Sequence, residues 1–322
     1  MKNKTAILFP GQGSQMVGMG KDLSQNFKTA RDIFAKTDEI LKYNLSKIMF
    51  EGPSDELTKT QNTQVALMSV SIALVKILEN EFGKIFSDLC IFSAGHSLGE
   101  YSALCASNAI SFEDTIKLLQ IRGNAMAKCG QKNHGAMSAI LGVEIELVKE
   151  IIQEAIQNLE AGEVCQIAND NSVGQVVISG SINAINKAIE IAKIKGAKRA
   201  ILLPVSGAFH SQLMVEAQIE MQQALSKIII KKPDVSIIAN VSADIIKDPN
   251  DIVDLLTKQI TGSVRWRESM LKIASLGVDN IIEIGSGKVL CGLATRTVSN
   301  FKTSSIQNCE DLKTFLNQLS NV

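Results

Sequence analysis

Residues 88–104 read DLCIFSAGHSLGEYSAL, a mainly apolar run that breaks at Gly95-His96-Ser97-Leu98-Gly99 and resumes in small residues. Asp88 to Phe92 suit a short strand, and the stretch after Gly99 suits a helix. A G-x-S-x-G segment between a strand and a helix sets its serine on a sharp turn, with glycines relieving the crowding and the hydroxyl left exposed. This order predicts an α/β fold and makes Ser97 a candidate nucleophile. A helix beginning here also aims backbone N–H groups, that of Leu98 first, at an oxyanion formed on an attacked carbonyl. The same pattern occurs by chance in glycine-containing turns; the strand before it and the helix after it favour the catalytic reading.

Working outward, residues 5–9 (TAILF) form a second short apolar run, which ends in PGQGSQ, a strand breaking into a glycine-rich loop. Between about 60 and 80, Val65, Leu67, Met68, Ile72, Val75 and Leu78 have the spacing of a largely buried helix. Residues 136–204 give a longer pattern. A strand (AMSAILGV) precedes a helix with Leu147, Val148, Ile151, Ile152, Ala155 and Ile156 inward. A strand near 164–168, a polar turn at 169–175 and a strand at 176–179 follow. A second helix carries Ile185, Ala188, Ile189 and Ala192 on one face, and Ala200 to Leu203 supply the last strand. That βαββαβ order is a ferredoxin-like unit. Alternation then resumes, with strands near 235–241 and 279–284 and helices near 251–260, 267–276 and 288–296. The expected organisation is one α/β domain, residues 1–131 and 205–322, interrupted by a smaller insert, residues 132–204.

Bulk properties exclude several classes. The 322 residues are 45% hydrophobic and 20% charged, ordinary globular values, and Lys+Arg and Asp+Glu are both 33. Zero net charge gives no global attraction to nucleic acid or an anionic membrane. Aromatic residues at 4% are too sparse for a base-stacking platform. The six cysteines lack CxxC or metal-ligand spacing and read as reduced thiols of a cytoplasmic protein. The run Ala6 to Phe9 is too short for a signal segment, and no stretch nears the roughly 18 uncharged apolar residues of a membrane span.

A nucleophilic serine needs a base. Of the three histidines, His96 adjoins Ser97 and projects differently from a sharp turn, and His134 opens a glycine-containing segment at the edge of the insert. His210, in PVSGAFHS just past the strand ending at Leu203, lies on a loop at a strand end, where α/β sites assemble. It is the chosen base; the alternative is a loop histidine bonded to backbone. Arg122 stands among Leu118, Leu119, Ile121, Gly123, Ala125 and Met126 on the helix that Ser111 and Asp114 cap. A guanidinium so placed needs an acid partner. That partner is either an internal Asp or Glu or the carboxylate of a substrate held bidentately. Two apparent phosphate loops fail. FPGQGSQM has Met16 at the third glycine position of a dinucleotide loop, and GSGKV has Val289 where a Walker loop needs Ser or Thr.

FPGQGSQ at 9–15, GHSLGEYSAL at 95–104, QIRGNAM at 120–126, ILGV at 140–143, GQVVISG at 174–180, SGAFHS at 206–211, VRW at 264–266 and EIGSGKVL at 283–290 occur in one order along the chain. Together they resemble the malonyl-CoA:acyl-carrier-protein transacylases and the related acyltransferase domains of fatty acid and polyketide synthases. The resemblance implies an α/β-hydrolase-like large domain with the ferredoxin-like insert and a site in the cleft between them. It implies Ser97 as the acylated nucleophile, His210 as general base and Arg122 as the partner of malonate's free carboxylate. Gln12 would complete the oxyanion hole with the Leu98 N–H, and the main-chain carbonyl of Gln259 would orient the histidine in place of a triad aspartate. Phe209 matches the malonyl-selective members and would crowd an α-methyl branch. Malonyl-CoA and an acyl carrier protein are the implied partners, with no metal or redox cofactor, coenzyme A leaving as product and phosphopantetheine arriving on the carrier. A monomer in the cytoplasm, binding neither nucleic acid nor membrane, is expected. Val173 and Ser286 depart from the family by replacing prolines. A hydrolase and a non-catalytic carrier-binding protein are the rival readings. Lys193, Lys195, Lys198, Arg199 and Lys288 are candidates for a docking patch for an acidic carrier, against the alternative of ordinary solvated charges.

Overall fold

The computed structural model describes residues 4–157, 159, 160 and 162–320. In chain order its strands are β1 (Thr5–Phe9), β2 (Phe92–Gly95), β3 (Gly135–Leu141), β4 (Cys165–Ser172), β5 (Gln175–Ser181), β6 (Arg199–Leu202), β7 (Ser236–Ile237), β8 (Asn280–Ile284) and β9 (Lys302–Ile306). They form two sheets. One has the order β7-β2-β1-β8-β9 with every pair parallel. The other has the order β4-β5-β3-β6 with every pair antiparallel.

β1 shows why the parallel sheet is buried. Side chains alternate across a strand, so Ile7 and Phe9 enter the core built around the Thr60–Asn80 helix. Ala6 and Leu8 enter the opposite core, with Trp266, Met270, Leu290 and Leu293. Both faces are covered, and all five residues are buried. The Thr60–Asn80 helix is apolar on all sides because it packs on all sides. By length and composition it would suffice to cross a membrane, but 89% of its most apolar stretch is buried inside the protein.

The antiparallel sheet carries the Ile145–Ile156 and Ile182–Ile194 helices on one face, over a separate core of Ile140, Val148, Ile151, Val176, Ile178, Ile185 and Ala188. Its link to the parallel sheet runs along β4. Val264 N–H donates to Ala168 O (2.8 Å), Asp170 N–H to Val264 O (3.0 Å), and Arg267 Nη2 pairs with the buried Asp170 carboxylate at 2.9 Å.

Several sequence expectations move. The strand placed at 88–92 lies at Phe92–Gly95; Phe86–Leu89 is a helical turn that seats Phe86 and Leu89 in the core. The polar turn expected over 169–175 shrinks to Val173-Gly174, with Gly174 at φ 68°, because β4 continues through Asn169 to Ser172. The strand near 235–241 is limited to Ser236–Ile237, with Ile238 forming an isolated antiparallel bridge to Ile245. Residues 21–58, for which no element was expected, hold helices at Lys21–Asn26, Lys28–Leu41, Leu45–Glu51 and Ser54–Thr58.

Candidate active site

The carboxyl ends of the parallel strands converge. β1 leads into Pro10-Gly11-Gln12, β2 into the turn bearing Ser97, and Asn240 follows β7. Ser97 has φ 55°, the left-handed region, where an L-residue is strained and persists only if its surroundings fix it. Two contacts do so. A Cβ on Gly95 would lie 1.8 Å from Gly99 O, and one on Gly99 would lie 2.3 Å from Phe9 O, so only glycine permits this turn to close on itself and on β1. Asn240 grips both sides: its Oδ1 accepts from Ser97 N–H and its Nδ2 donates to Gly95 O, each at 2.8 Å.

Two side chains meet at the half-buried Ser97 hydroxyl. Ser97 Oγ is 2.8 Å from His210 Nε2. His210 Nδ1 is 2.8 Å from the main-chain carbonyl of Gln259. Since a carbonyl only accepts, Nδ1 carries the proton and Nε2 is the basic nitrogen that receives the Ser97 O–H. Arg122 Nη2 donates to Ser97 Oγ at 3.0 Å and to Gln259 Oε1 at 2.8 Å, and its Nη1 donates to Gln64 Oε1 at 2.7 Å. Burial first and the Arg122 charge second push His210 down to about 3, so the imidazole is neutral throughout the physiological range.

Of the two partners considered for Arg122, the internal acid is not in contact with it among the described residues. The guanidinium, 1% exposed, touches two amides, a hydroxyl and the face of Tyr101 (5.6 Å to the ring centroid). A buried cation without a carboxylate in contact is costly. The cavity beside it, about 120 Å³, is walled by Gln12, Ser97, Leu98, Arg122, Phe209 and His210 among others. Six of the seven residues proposed from sequence thus border one space, and the seventh, Gln259, stands behind His210 and Arg122.

Leu98 is the N-cap of the Gly99–Ala106 helix, whose first N–H groups have no intrahelical partner. Thr60 Oγ1 donates to Gln12 Oε1 at 2.9 Å, which occupies the oxygen end of that amide. His96 bonds Asn171 of β4 at 2.8 Å and stacks near Trp266, and His134 caps the Phe112–Asn133 helix in a left-handed conformation; neither reaches Ser97. Lys195 is engaged with Glu150 and Glu154, whereas Lys193, Lys198, Arg199 and Lys288 are exposed.

Sequence reasoning missed Gln64, Glu100, Gln166 and Asn240. Gln166, on β4, donates to the carbonyls of His210 (3.3 Å) and Thr261 (3.0 Å), so the antiparallel sheet holds the histidine loop. Glu100 could have been suspected from an acid inside an otherwise apolar helix of small residues. The other three contact partners 44 to 143 positions away and carry no spacing signal. Among the described residues no group of three or more His, Cys, Asp or Glu side chains is arranged to hold a metal ion.

Residues 7–315 match the acyl transferase domain family. The chain is 44% identical over 311 residues to the malonyl CoA-acyl carrier protein transacylase of Bacillus subtilis, covering 97% of this chain and 96% of the relative. It superposes with a TM-score of 0.93 on the crystal structure of an acyl-carrier-protein-S-malonyltransferase from Bartonella henselae, 47% identical, covering 98% of this chain and 99% of that one. A type II PKS acyl-carrier protein complexed with its malonyl-transacylase is similar too, with TM-score 0.92, 36% identity and coverage of 98% and 99%.

Proposed function

The chain belongs to the acyl transferase domain family, and on that premise we propose how its residues move a malonyl group. It is a malonyltransferase, taking malonyl from malonyl-CoA and delivering it to the phosphopantetheine thiol of an acyl carrier protein for fatty acid biosynthesis.

Ser97 Oγ attacks the thioester carbonyl while His210 Nε2 takes its proton. The oxyanion is met by the Leu98 N–H and by the amide NH₂ of Gln12, whose oxygen Thr60 already holds. As the C–S bond breaks, His210 returns the proton to the departing coenzyme A sulfur, leaving a malonyl-Ser97 ester. The carrier thiol then gives its proton to His210 and attacks that ester, and Ser97 is regenerated with the proton back on Oγ. Gln259 performs the orienting task of a triad acid through its main-chain oxygen. Arg122 receives the free carboxylate bidentately, which supplies the counter-charge its burial demands. Phe209 closes the wall against a branched acyl chain. These groups supply the chemistry without a metal or redox cofactor, coenzyme A entering as donor and leaving as product.

The fold supporting this is read as an α/β-hydrolase-like body, residues 1–131 and 205–322, with a ferredoxin-like insert, residues 132–204. The cleft between them is the entrance for both thioesters.

The observation that carries the reading is that Ser97 Oγ lies within hydrogen-bond reach of both a neutral imidazole and a buried guanidinium. Initial rates measured while malonyl-CoA and holo-carrier are both varied should give parallel reciprocal plots. Lines that intersect would mean a ternary complex and no acyl-serine intermediate.

A further inference from the structure

The segment after the nucleophile carries an acid with no place in the steps above. Glu100, in the first turn of the Gly99–Ala106 helix, is 1% exposed, and among the described residues no lysine or arginine pairs with it. Its Oε2 accepts from Gln259 Nε2 at 2.7 Å and from Asn240 N–H at 3.1 Å, while Oε1 has no hydrogen-bond partner among the described residues. Burial raises its carboxyl to about 7.

Both partners of Oε2 belong to the site. The Gln259 amide spans the gap between Glu100 and Arg122: Nε2 faces the carboxylate and Oε1 accepts from Arg122 Nη2 at 2.8 Å. A carboxylate oxygen without a proton only accepts, and a guanidinium only donates. The two together fix which end of the amide faces which neighbour, and an inverted amide would set NH₂ against guanidinium. Asn240, held through its own N–H, clamps Ser97 N–H and Gly95 O.

We propose that Glu100 is a positioning residue for the malonyl carboxylate: by accepting from Gln259 it sets the side-chain amide that aims Arg122 at the acyl cavity. This rests on the reading of Arg122 as the receiver of that carboxylate. The role belongs to an acceptor oxygen, so a glutamine at this position serves it, its amide oxygen replacing Oε2 and its NH₂ occupying the unpartnered place of Oε1. Alanine does not serve it.

The test compares acylation of Ser97 by malonyl-CoA and by acetyl-CoA, which lacks the carboxylate, in wild type, Glu100→Ala and Glu100→Gln, with thermal melts of each. In Glu100→Ala, kcat/KM for malonyl-CoA should fall about tenfold or more, as expected when a hydrogen bond to a charged group is lost. Acetyl-CoA should fall much less, narrowing the preference between the two. Glu100→Gln should recover most of the malonyl rate. Equal losses for both thioesters in Glu100→Ala, no loss at all, or a Glu100→Gln variant as impaired as alanine while melting like wild type would each overturn the proposal. Absence of malonyl acylation in the wild type would instead remove the reading on which it rests.

Discussion

The guanidinium of Arg122 lies 3.0 Å from the hydroxyl of Ser97, so the proposed carboxylate receiver and the proposed nucleophile are in direct contact. In the proposed mechanism a malonyl group spans from Oγ to the guanidinium, so that binding its carboxylate would align its carbonyl for attack.

Arg122→Ala should consequently separate substrates. Acylation by malonyl-CoA is expected to drop about 10- to 100-fold in kcat/KM, the range for losing charge-assisted hydrogen bonds. Acetyl-CoA, with no carboxylate to place, should lose much less. Rapid-quench measurement of acyl-enzyme with both thioesters reads the difference, and parallel losses would count against the clamp.

His210 yields a pH prediction with a definite sign. The base works when neutral, and burial with the nearby Arg122 charge holds its pKa near 3 instead of 6.5, so the working form persists into acid. The rate of Ser97 acylation at low malonyl-CoA should stay level from about pH 8 to about pH 5.5, without the limb near 6.5 of an ordinary histidine. Stability follows the same shift. The unfolded chain gains a proton below 6.5 that the folded chain refuses, so His210 lowers the melting temperature progressively as pH falls from 6.5. A histidine limb near 6.5 in the acylation rate would contradict the site.

The nucleophile turn should resist even one added methyl. In Gly95→Ala the new Cβ meets the Gly99 backbone at 1.8 Å, an atom that cannot swing aside as a side chain would. A loss of about 3 kcal/mol is expected, at the upper end for overpacked sites, together with loss of acylation. Urea denaturation gives the first and intact mass the second.

Phe209, buried at 6% exposure, borders the cavity that Ser97 and Arg122 share. Phe209→Ala should admit an α-methyl branch, raising methylmalonyl-CoA relative to malonyl-CoA by about 10-fold, the scale on which one methyl is discriminated in an apolar pocket. Competition between the two thioesters for Ser97 measures the ratio directly.

Particular residues show what a single sequence carries. Ile185, Ala188 and Ala192 announce their helix because burial on one face imposes a 3.6-residue period, and Ser97 is legible because its strained turn requires Gly95 and Gly99. His210 stood out because histidines are few and it follows a strand. The segment Asn169 to Ser172 misled for a physical reason. Its polar side chains read as a turn, but they are buried against the Trp266–Ser275 helix and the turn after β2, Asp170 on Arg267 and Asn171 on His96, so the strand continues. Likewise two amides replace the internal acid, one of the two partners considered for Arg122. Gln64 and Gln259 approach it from 58 and 137 positions away, and only the folded chain brings them together. The strand expected from Asp88 to Phe92 begins only at Phe92, because Asp88 and Leu89 close the helical turn Phe86–Leu89, and so short a run satisfies either period.

The central claim is that Ser97 carries the malonyl group between two thiols. Brief mixing of the protein with malonyl-CoA, followed by intact-protein mass spectrometry before and after addition of holo-acyl carrier protein, tests it most directly. The account requires one malonyl adduct on the wild type, none on Ser97→Ala, and quantitative discharge of the adduct onto the carrier. An adduct that survives in Ser97→Ala, or one lost to water as fast without the carrier as with it, would contradict it.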